Sequence, residues 1–327
     1  MDAPPPISAP AHGIRCALST NWNNAGRTDG AAIADEAIAL GFDALELGFR
    51  TLPEQIPGIK SRLDRIAVDS VHAYCPVPPG APSGHPELHQ LLASDAEERA
   101  MAHFLLRKTF ECAEDLGAKV VVFHAGYVDL VTFFSSYGAH SLRAALEKDG
   151  GKIDAPSYAK RLAKAKRLRA KRGAKLIERF KTEFAKLAPE LEKRHLILAL
   201  ENLPRIEGFP NPDEAETLMA EFKNGPLKLW FDTGHARVCA CNGWLPHETE
   251  VAKRLAPYAA GMHLNDVKDF DDDHRQPGWG KVDFAALKPL ALRPDVLRVF
   301  EPHKPVTAEE LGASLALIRS VWREDAV

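Results

Sequence analysis

Residues Leu229–His235, LWFDTGH, end a hydrophobic run with a carboxylate and an imidazole, Asp232 and His235, placed where both can reach one metal ion. Runs of the same kind recur along the chain. VDSVHAY ends near His72, VVVFHAG at His124, LILALENLP at Glu201, AGMHLND at His263 and VLRVFEPH at Glu301. In each, apolar or β-branched residues stop at an acid or a histidine. From Glu201 the intervals to Asp232, His263 and Glu301 are 31, 31 and 38 residues. That is the length of a strand, loop and helix returning to the next parallel strand, so metal-ligand chemistry repeats with the period of the fold.

Taken in order, Ile14–Ser19 reads as the first strand and Thr28–Leu40 as its helix, closed by Gly41 where a helix C-terminus favours glycine. Ala44–Leu47 is the second strand. Its Glu46 either faces the barrel mouth or is a satisfied polar core residue. Pro53–Asp64 is a short crossover, Ile66–Ala73 the third strand, Ala96–Leu116 a helix stopped by Gly117, and Val120–His124 the fourth strand. Residues Gly126–Pro156 have no clear period, which in a compact domain marks a lid or binding loop. A long basic helix, Tyr158–Lys186, follows, rich in alanine, leucine, lysine and arginine. His195–Glu201, Leu227–Asp232, Ala259–Leu264 and Val296–Glu301 complete eight strands. Asp213–Phe222, His247–Leu255, Phe284–Leu290 and Ala308–Val321 supply the remaining helices. Eight alternations without a glycine-rich dinucleotide fingerprint predict an α/β chain with a single (β/α)8 TIM barrel over residues 13–327. Residues 126–190 form an insertion after strand 4, and residues 1–12 a disordered, proline-rich leader.

A parallel barrel puts the carboxyl ends of all its strands on one face. Glu201, Asp232, His263 and Glu301 therefore converge from strands five to eight. Mixed oxygen and nitrogen donors suit Mn2+, Mg2+, Co2+, Fe2+ or Zn2+ and do not choose among them.

LALENLP, FDTGHA, MHLND, DDHRQPGWGKVDF and the final FEPH, in this order, resemble the xylose-isomerase-like barrels, a superfamily of sugar isomerases and epimerases related to endonuclease IV. The resemblance runs from about Ile14 to Val321. It implies metal ligation by Glu201, Asp232, His263 and Glu301, with Glu201 and Glu301 as the catalytic acid/base pair. His72, His124, His235, Asp272 and His274 match the other ligand positions of a three-metal site of the endonuclease IV kind. One metal is the expectation, and up to three are compatible with the residues. The leading function is a divalent-metal-dependent sugar or sugar-phosphate isomerase or epimerase, moving a proton through an enediolate. Its segment LGFDALELGF looks like the sugar-isomerase second strand, and no counterpart of the DNA-probing loops is present. The alternatives are a two- or three-metal phosphoesterase, and a carbohydrate-binding barrel without catalysis.

Around the mouth, His235, Trp22, Arg205, Arg237, Lys268, Arg275 and Trp279 are the candidate substrate contacts. Aromatic faces would pack on a sugar ring, and cations would suit a phosphate or carboxylate. Asp266, three residues beyond His263, is a candidate to orient an imidazole or, equally, to cap a loop.

Composition bounds the rest. A chain of 327 residues with 45% hydrophobic content can bury a large core. The net charge of -3 hides an asymmetry: Ser157–Arg194 carries 14 Lys/Arg against 4 Asp/Glu, a net of +10. Such a segment is a solvated helix face, a surface for an acidic partner subunit, or a phosphate-neutralising patch. Without interleaved aromatics for base stacking, nucleic acid is the weaker reading. A homodimer paired through this helix is an open expectation. Five cysteines without CxxC spacing predict reduced thiols in the cytoplasm. No stretch has the apolar length of a membrane span, so no membrane partner is expected.

Overall fold

The computed structural model describes residues 13–81, 83–272, 274–303 and 305–323. The proline-rich leader expected at 1–12 lies outside the described residues. Strands β1 (Ala17–Ser19), β2 (Ala44–Leu47), β3 (Ala67–His72) and β4 (Val120–Phe123) form the first half of a barrel. A two-residue strand β5 (Gly126–Tyr127) follows, then β6 (Ile197–Glu201), a second short strand β7 (Gly208–Phe209), β8 (Leu227–Asp232), β9 (Ala259–Leu264) and β10 (Leu297–Phe300). Eight of them close in the order β1-β10-β9-β8-β6-β4-β3-β2, while β5 and β7 pair antiparallel beside the mouth. All barrel neighbours are parallel, and the eight strands stand where the apolar runs predict.

The period of two within each strand decides what faces inward. Ala199 and Trp230 fill the barrel interior with Ala17, Ala44, Val120, Val122 and Val299. Leu198, Leu200, Leu229 and Phe231 face the surrounding helices. One pleat further on, that parity points Glu201, Asp232 and Glu301 into the mouth. The register places Asp232 beside His263 and Glu201 beside Trp230.

The helices Ala96–Leu116 and Ala308–Val321 have the predicted bounds, the first capped by Asp95 and closed by Gly117 at φ +77°. The basic helix runs Pro156–Phe184. Two expectations need correction, and one helix was not expected. Gly126–Pro156 is not irregular throughout: it contains β5 and a helix at Ala139–Lys148, whose Leu142 and Leu146 sit in a second apolar cluster with Tyr158, Leu162 and Val238. Phe284–Leu290 is not a helix; turns lead into a four-residue helix, Lys288–Ala291, with Pro289 in its first turn. A helix at Thr233–Cys241 springs directly from β8, with Asp232 as its N-cap.

Candidate metal centre

Nine side chains meet at the carboxyl end of the barrel in three groups, within each of which the candidate ligand atoms lie within 4.8 Å of one another. Glu201, Asp232, His263 and Glu301 form the first. His72, His124 and Glu201 form the second, and His235, Asp272 and His274 the third. Glu201 thus joins two groups. The four residues of the first group are buried, at 0–2% exposure. Carboxylate and imidazole donors at this spacing fit a divalent ion.

Each imidazole is aimed. His263 Nδ1 faces Glu201 at 3.1 Å and Glu301 at 3.2 Å, while its Nε2 donates to Glu46 at 3.0 Å. His72 Nδ1 donates to the Ala73 carbonyl at 2.9 Å, which turns Nε2 to Glu201 at 3.0 Å. His124 does the same through Glu87 at 3.2 Å, leaving Nε2 at 3.0 Å from Glu201. His235 Nδ1 donates to the Asn202 carbonyl, and His274 Nδ1 to that of Glu301. Their Nε2 atoms then stand 3.4 and 3.2 Å from Asp272. An outward hydrogen bond that fixes the tautomer and turns the other nitrogen inward is what metal-ligating histidines require.

The carboxylates are held as well. Asn21 donates to Glu301 at 3.0 Å and Asn265 to Asp232 at 2.7 Å. The FDTGH stretch makes the second contact possible. Thr233 Oγ1 donates to the Asn265 carbonyl, and a Cβ on Gly234 would stand 1.7 Å from Asn265 Oδ1. Asn202 braces β6 against β8, giving a bond to the Asp232 carbonyl and accepting one from its N–H. His274 sits at φ +42°, a left-handed conformation uncommon outside glycine, and its ring stacks on His303 at 4.1 Å.

Electrostatically the centre calls for positive charge. Burial pushes the Glu201 carboxyl up, but His263 and His124 outweigh it and hold it well below the usual carboxylate range. Glu301 is likewise brought to about 2 by His263 and His274 against burial. Burial raises Asp232 to about 6, with Glu201 adding and His235 opposing. Burial would lower the imidazoles, yet the surrounding carboxylates raise His124 and His274 to about 9 and His263 well above its ordinary value. Protons on these rings stand in for the cation that the acids attract.

The other expected contacts divide. Trp279 lies in the loop after β9, with Lys268 Nζ at 4.1 Å and Arg275 Cζ at 4.8 Å from its ring centre, a cationic edge to the mouth. Arg205 is exposed over Tyr127 at 5.0 Å. Trp22 does not offer a face to a sugar: it is 1% exposed in the core and its indole N–H donates to the Val306 carbonyl. Arg237 is engaged by the buried Glu248 at 3.2 Å, bracing two helices. Asp266 is a loop cap, and among the described residues it bonds no imidazole. Its carboxylate accepts the N–H groups of Val267, Gly278, Gly280 and Val282, and a Cβ on Gly280 would meet the Val267 carbonyl at 2.3 Å. Glu87, Asn21, Asn202, Asn265 and His303 join the site without a signal at strand-end spacing. Of these, the asparagines of ENLP and LND stood beside named ligands and were open to notice.

The chain belongs to the xylose isomerase-like TIM barrel family, whose model matches residues 34–310. No curated protein matches it in sequence. Among solved structures it is similar to a D-tagatose 3-epimerase-like protein, with a TM-score of 0.62 at 17% identity, covering 94% of this chain and 97% of that one. A 3-keto-D-glucoside 4-epimerase, YcjR, from E. coli gives 0.61 at 15%, covering 94% and 99%. The TTHB071 protein of Thermus thermophilus, from a crystal soaked with ZnCl2, gives 0.54 at 23%, covering 94% and 97%. At these identities the shared property is the fold.

Proposed function

We propose that the protein is a divalent-metal-dependent isomerase or epimerase of a sugar, keto-sugar or sugar phosphate. The observation that carries this reading is the placement of Glu201 and Glu301, both buried, 3.1 and 3.2 Å from the same nitrogen of His263. Two carboxylates so close to one centre can remove and return a proton on a carbon between them. Glu201, Asp232, His263 and Glu301 would hold one Mn2+, Mg2+, Co2+, Fe2+ or Zn2+ ion. When bound, such an ion supplies Lewis-acid stabilisation of the negative charge that develops beside a carbonyl. Asn21 holds Glu301, and Asn265 holds Asp232, so the acids need little reorganisation as the proton moves. His235 would donate to a substrate oxygen, with Lys268, Arg275 and Trp279 as further contacts at the mouth. Solvent exchange of a substrate C–H proton, followed by NMR in D2O over a panel of keto-sugars, tests the reading. Glu301→Gln is expected to abolish exchange with the fold intact; undiminished exchange removes Glu301 from the acid/base role.

A second reading, a two- or three-metal phosphoesterase, is favoured by the other two groups. His72, His124, His235 and His274 each carry an outward hydrogen bond of the kind a metal ligand needs. Two or three ions can clamp the attacking and leaving oxygens of a phosphodiester.

A further inference from the structure

The basic helix divides its cations between two faces. Arg161, Lys166, Arg169, Arg172 and Arg179 are engaged within the chain, each on a backbone carbonyl at 2.5–2.9 Å and Arg169 also on Glu214. Lys160, Lys164, Arg167, Lys171 and Lys175 are all exposed. Their spacing of four, three, four and four residues puts them in one stripe, about 22 Å long at the helical rise of 1.5 Å per residue. No acid occurs from Ala155 to Ile177, and among the described residues no carboxylate pairs with any of the five. Two exposed acids near the helix, Asp129 and Glu178, already face Arg172 and Lys181.

Beside this stripe stands a small hairpin. Val131 bridges Ser136, Thr132 N–H donates to the Ser135 carbonyl, and the tip carries Phe133 and Phe134, 96% and 92% exposed. The helix holds the hairpin upright. Arg172 donates to the Asp129 and Val131 carbonyls and Arg161 to that of Ser136, while Lys164, a member of the stripe, lies over Tyr137 at 4.8 Å. Two adjacent phenyl rings almost wholly in water are costly for a free monomer, and an interaction surface is the usual reason.

Against the expectation of no membrane partner, which rested on spanning segments alone, we propose that the stripe and the Phe133–Phe134 tip together form a peripheral docking surface for an anionic lipid bilayer. The cations face the headgroups and the two rings enter the interfacial region. The rings meet edge to face, at 5.0 Å and 81°. Acyl chains accept rings in any orientation, whereas bases stack on a ring face to face, and two rings set edge to face offer no continuous platform for neighbouring bases. The geometry therefore favours lipid over nucleic acid for the same positive surface.

Co-sedimentation of the full-length protein with vesicles tests this. Vesicles of phosphatidylcholine and phosphatidylglycerol in equal parts should bind the chain at least about tenfold more tightly than phosphatidylcholine alone, and 0.5 M salt should release it. Phe133→Ser with Phe134→Ser, and separately Lys160→Glu with Lys171→Glu, should each weaken binding about tenfold or more, both pairs being solvent-exposed and melting like the wild type. Equal binding to the two vesicle types, no binding to either, or full binding by the serine variant overturns the proposal. So does retardation of DNA or RNA by a chain that leaves anionic vesicles in solution. Burial of the Phe133–Phe134 tip in a solution dimer, seen as a monomer formed by the serine variant alone, overturns it too.

Discussion

Glu46 and His263 are joined by a hydrogen bond of 3.0 Å from the imidazole Nε2, on the side of the ring away from Glu201 and Glu301. Glu46 is fully buried and also accepts from Ser70 at 2.8 Å, so its position is fixed before any ion arrives. It sets which nitrogen of His263 is offered to the centre and raises the basicity of that nitrogen. Glu46→Gln keeps the shape and removes the charge. Divalent-metal affinity, measured by competition with a chelator, is expected to fall by about 10–100-fold. An unchanged affinity would show that His263 is aimed by its strand alone.

Metal number separates the two functional readings. Elemental analysis of protein purified without chelator is expected to give about one ion per chain if only the Glu201, Asp232, His263 and Glu301 group is filled, and two or three if the flanking groups are ligands too. His72→Ala and His124→Ala should leave a one-metal protein's content unchanged. A drop in metal content in both variants, together with loss of phosphodiester cleavage, would move the protein to the hydrolase reading.

How far sequence reaches is visible at these same residues. A strand that stops at an acid or imidazole is a local pattern, and its recurrence located six of the eight strands and set His72, His124, Glu201, Asp232, His263 and Glu301 on one face; the family resemblance supplied Asp272 and His274. The hydrogen bonds that aim those side chains cross the fold and have no local pattern: Glu87 reaches His124 across 37 residues and Glu46 reaches His263 across 217. Trp22 and Arg237 misled for the related reason that position past a strand does not fix where a side chain points. Packing turned one into the core, and Glu248 claimed the other. The helix at Ala139–Lys148 escaped because Leu142 and Leu146 are its only large apolar residues, and it is stabilised by neighbours distant in sequence.

Gly234 offers a test of the FDTGH stretch by substitution. A Cβ there would collide with Asn265, whose amide donates to Asp232 at 2.7 Å. Gly234→Ala is expected to push Asn265 off the carboxylate, lowering metal affinity with a smaller loss of stability. Gly312, where a Cβ meets nothing within 4 Å, supplies the control: Gly312→Ala should leave metal binding unchanged and, being in a helix, stabilise by up to about 1 kcal/mol. Equal metal affinity in the two variants would dissociate Asn265 from the site.

Acid sensitivity should have a source outside the metal centre. His103 and Glu183 join two helices, with Nε2 of the imidazole 2.7 Å from the carboxylate. Burial lowers the His103 pKa against the pull of Glu183, so the unfolded chain takes up this proton first and stability falls as the pH drops below about 6.5. Glu183 is itself lowered, since Lys186 and His103 outweigh its burial; its contribution is present above about 4.5 and is lost as the pH falls through the folded value. Thermal melts of metal-loaded protein should therefore drop between pH 7 and 5, and His103→Gln should flatten that part of the profile. An unaltered slope in the variant would place the acid sensitivity elsewhere.

The basic helix is also a structural member, and Arg169 is where that role concentrates. The residue is 5% exposed, and its guanidinium donates to the Ile206 and Gly208 carbonyls and grips both oxygens of Glu214, which in turn closes the capping box of the helix Pro212–Glu221. Truncation would leave a buried carboxylate without its counter-charge and two carbonyls without the guanidinium that donates to them. Because removing one partner of a buried pair costs about 3–5 kcal/mol, Arg169→Ala is expected to destabilise the protein by that amount in denaturant melts. Replacing both partners, Arg169→Met with Glu214→Leu, removes the uncompensated charge as well and should recover most of the loss. A double variant no more stable than Arg169→Ala would show that the two carbonyls, and not the ion pair, depend on the guanidinium.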